Sequence, residues 1–315
     1  MGTLITLIYV GLAPLSASHA SEVGPRLYNL YCATCHGTRG DGLGESARLL
    51  AGPSPQDFTR GVYKFRSTLS GGLPTDADLM RTVRRGIPGT SMPAWAGILD
   101  DTQVAAVVAH IKGFSPRFAT RETSEVIASP KTVPEPTVAS IERGRNVFLL
   151  MKCFLCHGTR GAGDGPDAPA LKDARGLRID PRDLRRGEFK GGGAARDIFR
   201  TLATGIDGTP MVAYFANPEV LGRPLVRLRK AFSKDVLSHR ALNDQDRRRI
   251  EKFMADLPSA SKFDDMEEKQ QEALVRGWQW DLVHYIRDLA GRGSWWRRFL
   301  GLTPSRPLFG AGKEE

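Results

Sequence analysis

The 315-residue sequence predicts an all-α protein built as two tandem copies of one small helical unit. Three observations predict it. The string Cys-x-x-Cys-His occurs twice, at Cys32–His36 and Cys153–His157, and uses all four cysteines. The residues around the two strings repeat at matching offsets over more than fifty positions. No alternating apolar/polar run of useful length marks a strand, whereas helical periodicity recurs. A content of 41% hydrophobic and 25% charged residues excludes wholesale disorder. Four cysteines are too few for a disulfide scaffold of this length.

Residues 1–20 contain no Lys, Arg, Asp or Glu. Thr3 to Leu15 is mostly apolar, and Ser18 and Ala20 place small residues at −3 and −1 of a cleavage site. This predicts a secretory signal peptide over 1–20, cut after Ala20. The rival is an uncleaved anchor, for which the run falls short of the ~20 residues a span needs. Residues 21–117 form the first unit. Its opening helix carries Gly24 and Tyr28 and ends at Cys32, with Gly24 permitting a close helix contact. Helical periodicity returns at Thr75–Arg85, and Gln103–Gly113 is the closing helix. Residues 118–138, with Pro130, Pro134 and Pro136, form a semi-extended linker.

The second unit, 139–292, repeats the plan. Gly144/Phe148 matches Gly24/Tyr28, and His-Gly-Thr-Arg-Gly follows both strings. Asp183-Leu184-x-Arg186-Gly187 matches Asp57-Phe58-x-Arg60-Gly61. Ala194–Thr204 matches the helix at Thr75–Arg85, and Gly205-x-x-Gly208-Thr209-x-Met211 matches Gly86-x-x-Gly89-Thr90-x-Met92. Gly277–Ala290 is the closing helix. About sixty residues, an insertion at 216–275, separate Met211 from it. A basic and aromatic tail, 293–315, includes Trp295, Trp296, Arg297 and Arg298.

A Cys-x-x-Cys-His string in an exported chain reads as a covalent haem c attachment site. Two thiols three positions apart on a helical turn reach the two vinyl groups of the porphyrin, and the next residue aims an imidazole at the iron. The predicted thioether residues are Cys32 and Cys35, and Cys153 and Cys156, for two haems c. A redox dithiol would sit in a βαβ context, which is absent. A zinc site or a plain disulfide would leave each following His unexplained. The predicted axial ligands are His36 with Met92, and His157 with Met211. Each Met lies in a Gly-bounded loop from which a thioether can approach the iron opposite the His; the competing reading of a Met is core filler. His110, His239 and His284 read as packing residues. Arg39 and Arg160 read as propionate partners, a docking edge or solvated loop charge.

Both units resemble class I cytochrome c domains, on the strength of the opening helix, Cys-x-x-Cys-His-Gly, the loop Met and the closing helix. The chain is similar to bacterial periplasmic dihaem c-type cytochromes over roughly 22–115, 139–215 and 277–291. The resemblance implies a periplasmic protein, soluble or peripherally membrane-associated, that carries single electrons between a respiratory donor and a terminal oxidase or reductase. The alternative is a dihaem enzyme of the peroxidase or sulfur-anion-oxidising type, with a displaceable ligand on the second haem.

The net charge is +10. Residues 21–120 carry 11 basic and 8 acidic groups, and residues 121–315 carry 34 and 27. An exported haem protein meets no nucleic acid, and no recognition motif is present. The charge therefore suits steering towards redox partners with an acidic docking surface. The insertion is the expected docking element. Insertion and tail are also the expected routes to association with a membrane complex.

Overall fold

The computed structural model describes residues 16–50, 52–120, 125–127, 131–214 and 234–299, with side chains from 22 to 291. Its regular elements are helices; among the described residues the β pairing is confined to isolated bridges. The first unit holds α1 (Ser16–Tyr31), α2 (Ala33–His36), α3 (Asp76–Arg85) and α4 (Asp101–Lys112). The second holds α5 (Val138–Leu150), α6 (Phe154–His157), α7 (Ala195–Thr204), α8 (Asp244–Asp256), α9 (Ala260–Asp264) and α10 (Glu268–Phe299). The apolar run Thr3–Leu15 and the end of the tail lie outside the described residues. The expected cleavage point falls on the backbone of α1.

Each unit is organised by one helix crossing, α1 on α4 and α5 on α10. A glycine sits at each crossing because nothing larger fits. A Cβ on Gly24 would fall 2.3 Å from the Ala106 carbonyl oxygen, and one on Gly144 would fall 1.9 Å from that of Asp281. Four residues later an aromatic ring fills the gap beside the crossing. Tyr28 packs edge-on against His110 at 5.0 Å, and Phe148 packs edge-on against Tyr285 at 5.4 Å. His110 is thus the packing counterpart of Tyr285, as its alignment predicts. Tyr28 also donates its hydroxyl to the Gly37 carbonyl, 2.7 Å away, which pins α1 to the residue after His36.

The middle helices start differently. Thr75 caps α3 in a reciprocal capping box with Asp78. The expected small-residue cap of α7 is Ala194, which offers no side-chain acceptor. Asp78 is fully buried. Burial alone would raise its carboxyl, but hydrogen bonds from Ser67 N–H, Arg81 and Thr75 N–H outweigh this and hold its pKa below the ordinary value.

Two apolar clusters result. One gathers Tyr28, Phe58, Tyr63, Val104 and Val107 around Cys32. The other gathers Phe148, Phe154, Phe199, Trp280 and Leu282 around Cys153. Much of the 216–275 insertion belongs to this second cluster. Val236, Leu242, Ile250, Phe253, Met254 and Phe263 are all buried in it. The insertion, expected as a docking element, thus contributes these side chains to the core while most of its other described residues are exposed. Residues 215–233 lie outside the described residues. The closing helix also begins nine residues before the expected Gly277, and its start at Glu268 falls inside the expected insertion.

The linker is tied down at both ends. Ile127 N–H donates to Ser67 O at 2.8 Å, and Leu69 N–H donates to Glu125 O at 3.1 Å. At the other end His284 bridges the Ser140 hydroxyl and the Pro134 carbonyl, each at 2.9 Å, so its role is structural. The proline-rich composition gave no sign of these anchors, which depend on partners distant in sequence.

Two stability outcomes follow from this packing. In the haem-loaded protein, Gly144→Val should lower the unfolding free energy by more than about 3 kcal/mol through overpacking at the crossing. Gly277→Ala, in open space on the partner helix α10, should raise it by about 0.5–1 kcal/mol. Denaturant melts read both. For Asp78 the folded pKa is depressed, so its stabilisation is present above the ordinary carboxylate range near ~3.9 and is lost as pH falls below it. Asp78→Asn should reduce this acid-linked loss, measured by thermal melts between neutral pH and about pH 3.

Candidate functional site

Each Cys-x-x-Cys-His string occupies the short helix after the opening helix, α2 in the first unit and α6 in the second. The four cysteines are free. Burial first, then the neighbouring Cys35, pushes the Cys32 thiol up to about 11. Cys153 is pushed up to about 12, again chiefly by burial. A redox dithiol needs a lowered thiol pKa, and burial here pushes these thiols the other way. Among the described residues no group of three or more His, Cys, Asp and Glu side chains is placed to hold a bare metal ion.

The histidines are fixed in the same way in both copies. His36 Nδ1 lies 3.1 Å from the Gln56 carbonyl oxygen, and His157 Nδ1 lies 3.0 Å from that of Arg182. A carbonyl only accepts, so Nδ1 carries the proton and Nε2 keeps its lone pair. Burial lowers both imidazole pKa values, with the carbonyl bond opposing. Both rings are therefore neutral near pH 7, with an oriented free nitrogen. This is the outer support that metal-ligating histidines ordinarily have. Gln56 and Arg182 immediately precede the matching Asp57 and Asp183. Their part is played by the backbone, and sequence reasoning missed it.

The two methionine loops are built by the same bonds. Ile87 N–H donates to the Met92 carbonyl at 3.1 Å, Met92 N–H donates to the Thr90 hydroxyl oxygen at 3.2 Å, and that hydroxyl donates to Ile87 O at 2.7 Å. In the second unit Ile206, Met211 and Thr209 repeat this at 2.9, 3.2 and 2.7 Å. Gly86 and Gly205 begin the loops at φ of 64° and 67°, where a Cβ would strike the Met carbonyl oxygen at 2.7 and 2.8 Å. The shared Gly-x-x-Gly-Thr-x-Met pattern thus encodes one loop conformation. Met211 packs on the cluster that contains Cys153, and Met80 packs on the one that contains Cys32.

These residues fit haem c. The chemistry of the donor set, two free thiols and a neutral imidazole per string, is one requirement. Orphaned donors are another. The Tyr63 hydroxyl, Trp95 Nε1 and Arg66 Nη1 are buried without hydrogen-bond partners, and porphyrin carboxylates would satisfy such groups. Arg39, by contrast, pairs with Asp41 at 3.2 Å on the surface, and Arg160 is exposed.

The two sites are joined across the units. Arg66, whose side chain is fully buried, donates to Asp207 Oδ1 at 2.8 Å and to Thr204 O at 3.0 Å. Asp207 lies inside the Met211 loop and also accepts from the Ser70 hydroxyl at 2.8 Å and Gly71 N–H at 2.9 Å. Conversely, Gly89 in the Met92 loop abuts the guanidinium of Arg182, the residue whose carbonyl holds His157. Gly208 in turn faces Val62, beside Gln56. Each methionine loop therefore meets the histidine-holding segment of the other unit. The sequence signal for this is slight: Asp207 stands where the first loop has Pro88, one of two differences between the loops, the other being Ser91 against Pro210.

Family comparisons match both units to cytochrome c-type domains. Residues 20–111 match the family described as cytochrome C oxidase, cbb3-type, subunit III, and residues 141–258 match the cytochrome c family. The second match ends within the region where that unit departs from the first. A solved structure similar to this chain comes from the Kuenenia stuttgartiensis reducing HAO-like protein complex Kustc0457/Kustc0458. It is 32% identical with a TM-score of 0.62, and the alignment covers 85% of this chain and 96% of that one. The fold and the paired sites define a c-type cytochrome. The chain belongs to the dihaem c-type cytochromes, carrying two cytochrome c domains whose cofactor is haem c and whose chemistry is haem-based electron transfer.

The Arg66–Asp207 pair gives a measurable outcome. Asp207→Ala leaves a buried guanidinium without its carboxylate and should cost about 3–5 kcal/mol. Replacing both partners, as Arg66→Met with Asp207→Leu, should cost less. Denaturant titration of the haem-loaded single and double variants reads the difference.

Proposed function

We propose that this protein is an exported, periplasmic electron carrier that relays single electrons through two covalently attached haems c, rather than an enzyme. Cys32 and Cys35 hold one haem and Cys153 and Cys156 the other. His36 with Met92, and His157 with Met211, would hold the two haem irons. The observation that carries the reading is the identical support of both sites: a carbonyl-oriented neutral His and a hydrogen-bonded Met loop in each unit. Haem supplies reversible one-electron chemistry at its iron. The protein's residues orient the ligands, exclude water through the two clusters, and set the potential through thioether ligation, which favours the reduced state. Two equally furnished sites suit a relay, whereas an enzyme of the peroxidase or sulfur-anion type needs one site with a vacant or displaceable ligand.

The contacts between the Met loops and the opposing histidine-holding segments support transfer between the units. The similar structure belongs to a reducing HAO-like protein complex, which supports a redox protein as partner here. The net charge of +10 favours a partner that is acidic overall. Among the described residues no helix is long and apolar enough to cross a membrane.

The test is a set of variants of the whole protein. Cys32→Ser with Cys35→Ser, or Cys153→Ser with Cys156→Ser, should each reduce the pyridine haemochrome count from two haems to one. Met92→Ala or Met211→Ala should lower one midpoint potential and leave the other. Two low-spin haems in the parent protein, with no peroxide or sulfur-anion turnover, are expected. A high-spin haem that binds exogenous ligands and turns over peroxide would overturn the carrier reading.

A further inference from the structure

The duplicated units differ in what covers their attachment helices. In the second unit Met151 and Phe154 are buried, and Leu155 packs on the same cluster. Their cover comes from the segment between the Met211 loop and α10, including Val236, Ile250 and Phe253. His239 stands edge-on to Phe154 at 5.2 Å, and Lys152 pairs with Asp235. The first unit has no such segment between its Met92 loop and α4.

Its matching positions are Leu30, Ala33 and Thr34. Leu30 is 64% exposed, and Thr34 is exposed as well. Thr34 Oγ1 is 3.0 Å from Ser46 Oγ, and one 3-10 turn beyond Ser46 stands Leu49, 85% exposed. Leu43 is 75% exposed between Gly42 and Gly44, whose N–H groups donate to the carbonyls of His36 and Cys35. Three exposed leucines thus surround the first attachment helix. At the same offsets the second unit has buried Met151, exposed Asp164 and exposed Ala170.

We propose that residues 234–263 seal the second attachment site, and that the leucine face Leu30–Leu43–Leu49 of the first is the docking surface for an acidic electron-transfer protein. The proposal rests on the carrier reading above. Electron exchange between proteins falls steeply with distance, so it takes place where the cover is thinnest. Exposed apolar patches on an otherwise polar surface mark contact sites, and a small apolar centre suits transient redox encounters. The charge supplies the partner's sign. The chain's excess of ten positive charges attracts an acidic protein; around the face itself exposed Arg26 and Arg48 stand beside exposed Glu22 and Glu45, so the attraction comes from the charge of the whole chain. The basic charge concentrated in the second half steers, while the leucines make contact.

The test uses fully reduced, full-length protein mixed with ferricyanide in stopped flow. Leu43→Glu with Leu49→Glu, both at exposed positions, should slow the fastest phase by about threefold to tenfold through charge repulsion. The same double substitution should accelerate oxidation by the tris(phenanthroline)cobalt(III) cation. Ala170→Glu, the matching change in the second unit, should leave the fast phase unchanged. His239→Ala should shift one midpoint potential only, as the shell around that site opens to water. Unchanged ferricyanide rates in the leucine variant, or equal slowing by Ala170→Glu, would overturn the proposal. So would micromolar self-association abolished by the leucine variant, which would assign the face to a second copy. A haemochrome count other than two, or a high-spin haem, would instead sink the carrier reading, on a separate readout.

Discussion

The structure depends on a hydrogen bond between an imidazole and a backbone carbonyl, made once in each unit. His36 to Gln56 and His157 to Arg182 fix the tautomer, the ring plane and the free nitrogen together. For that carbonyl to be in place, the loop after each string must fold back over the short helix. Gly42 N–H to His36 O, and Gly163 N–H to His157 O, both at 2.9 Å, make it do so. The short helix must also be held against the opening helix, which is the work of the glycine crossings and of the aromatic ring four residues on. The loop, the crossing and the cluster all serve the placement of one nitrogen.

The same constraint explains why the units are joined where they are. The histidine-holding segment and the methionine loop are the parts of each unit that have to be rigid. Packing one unit's loop on the other's segment buries rigid surface against rigid surface and costs little conformational entropy. The ionic contact at its centre is asymmetric: Arg66 and Asp207 form a buried pair on one side, while Gly89 against Arg182 is a steric fit on the other. A buried ion pair contributes little net stability by itself, but it resists any register in which the guanidinium would lose its carboxylate. Geometry between the two sites is thereby specified more strongly than it is stabilised.

The candidate site side chains stand out in the sequence because haem attachment would demand fixed spacing. Cys32, Cys35 and His36 recur as Cys153, Cys156 and His157, and the Gly-x-x-Gly-Thr-x-Met loops recur with them. The helices that pack on them were legible from their periodicity and from Gly24 and Gly144. What stayed hidden falls into two physical kinds. Backbone groups such as the carbonyls of Gln56 and Arg182 carry no residue signature, since any residue can offer a carbonyl. Long-range contacts such as Arg66 with Asp207, or Pro134 with His284, join positions that local pattern cannot relate. Within the insertion, expected as a docking element, Asp244–Asp256 is highly charged, yet its Ile250, Phe253 and Met254 are buried.

That last difference bears on how a duplicated chain acquires direction. Two identical units would exchange electrons with partners equally well at either site. Covering Met151 and Phe154 with added helices changes one site's access to water and partners while leaving its ligands alone. Removing water and charge from around an iron that is more positive when oxidised disfavours the oxidised state, so cover and potential shift together. The added segment needs no contact with a ligand to do this. On the carrier reading, a site that is both covered and raised in potential would hold electrons delivered through its open neighbour. Directionality would then follow from packing laid over a symmetric core, without any change to the residues proposed to hold the haems.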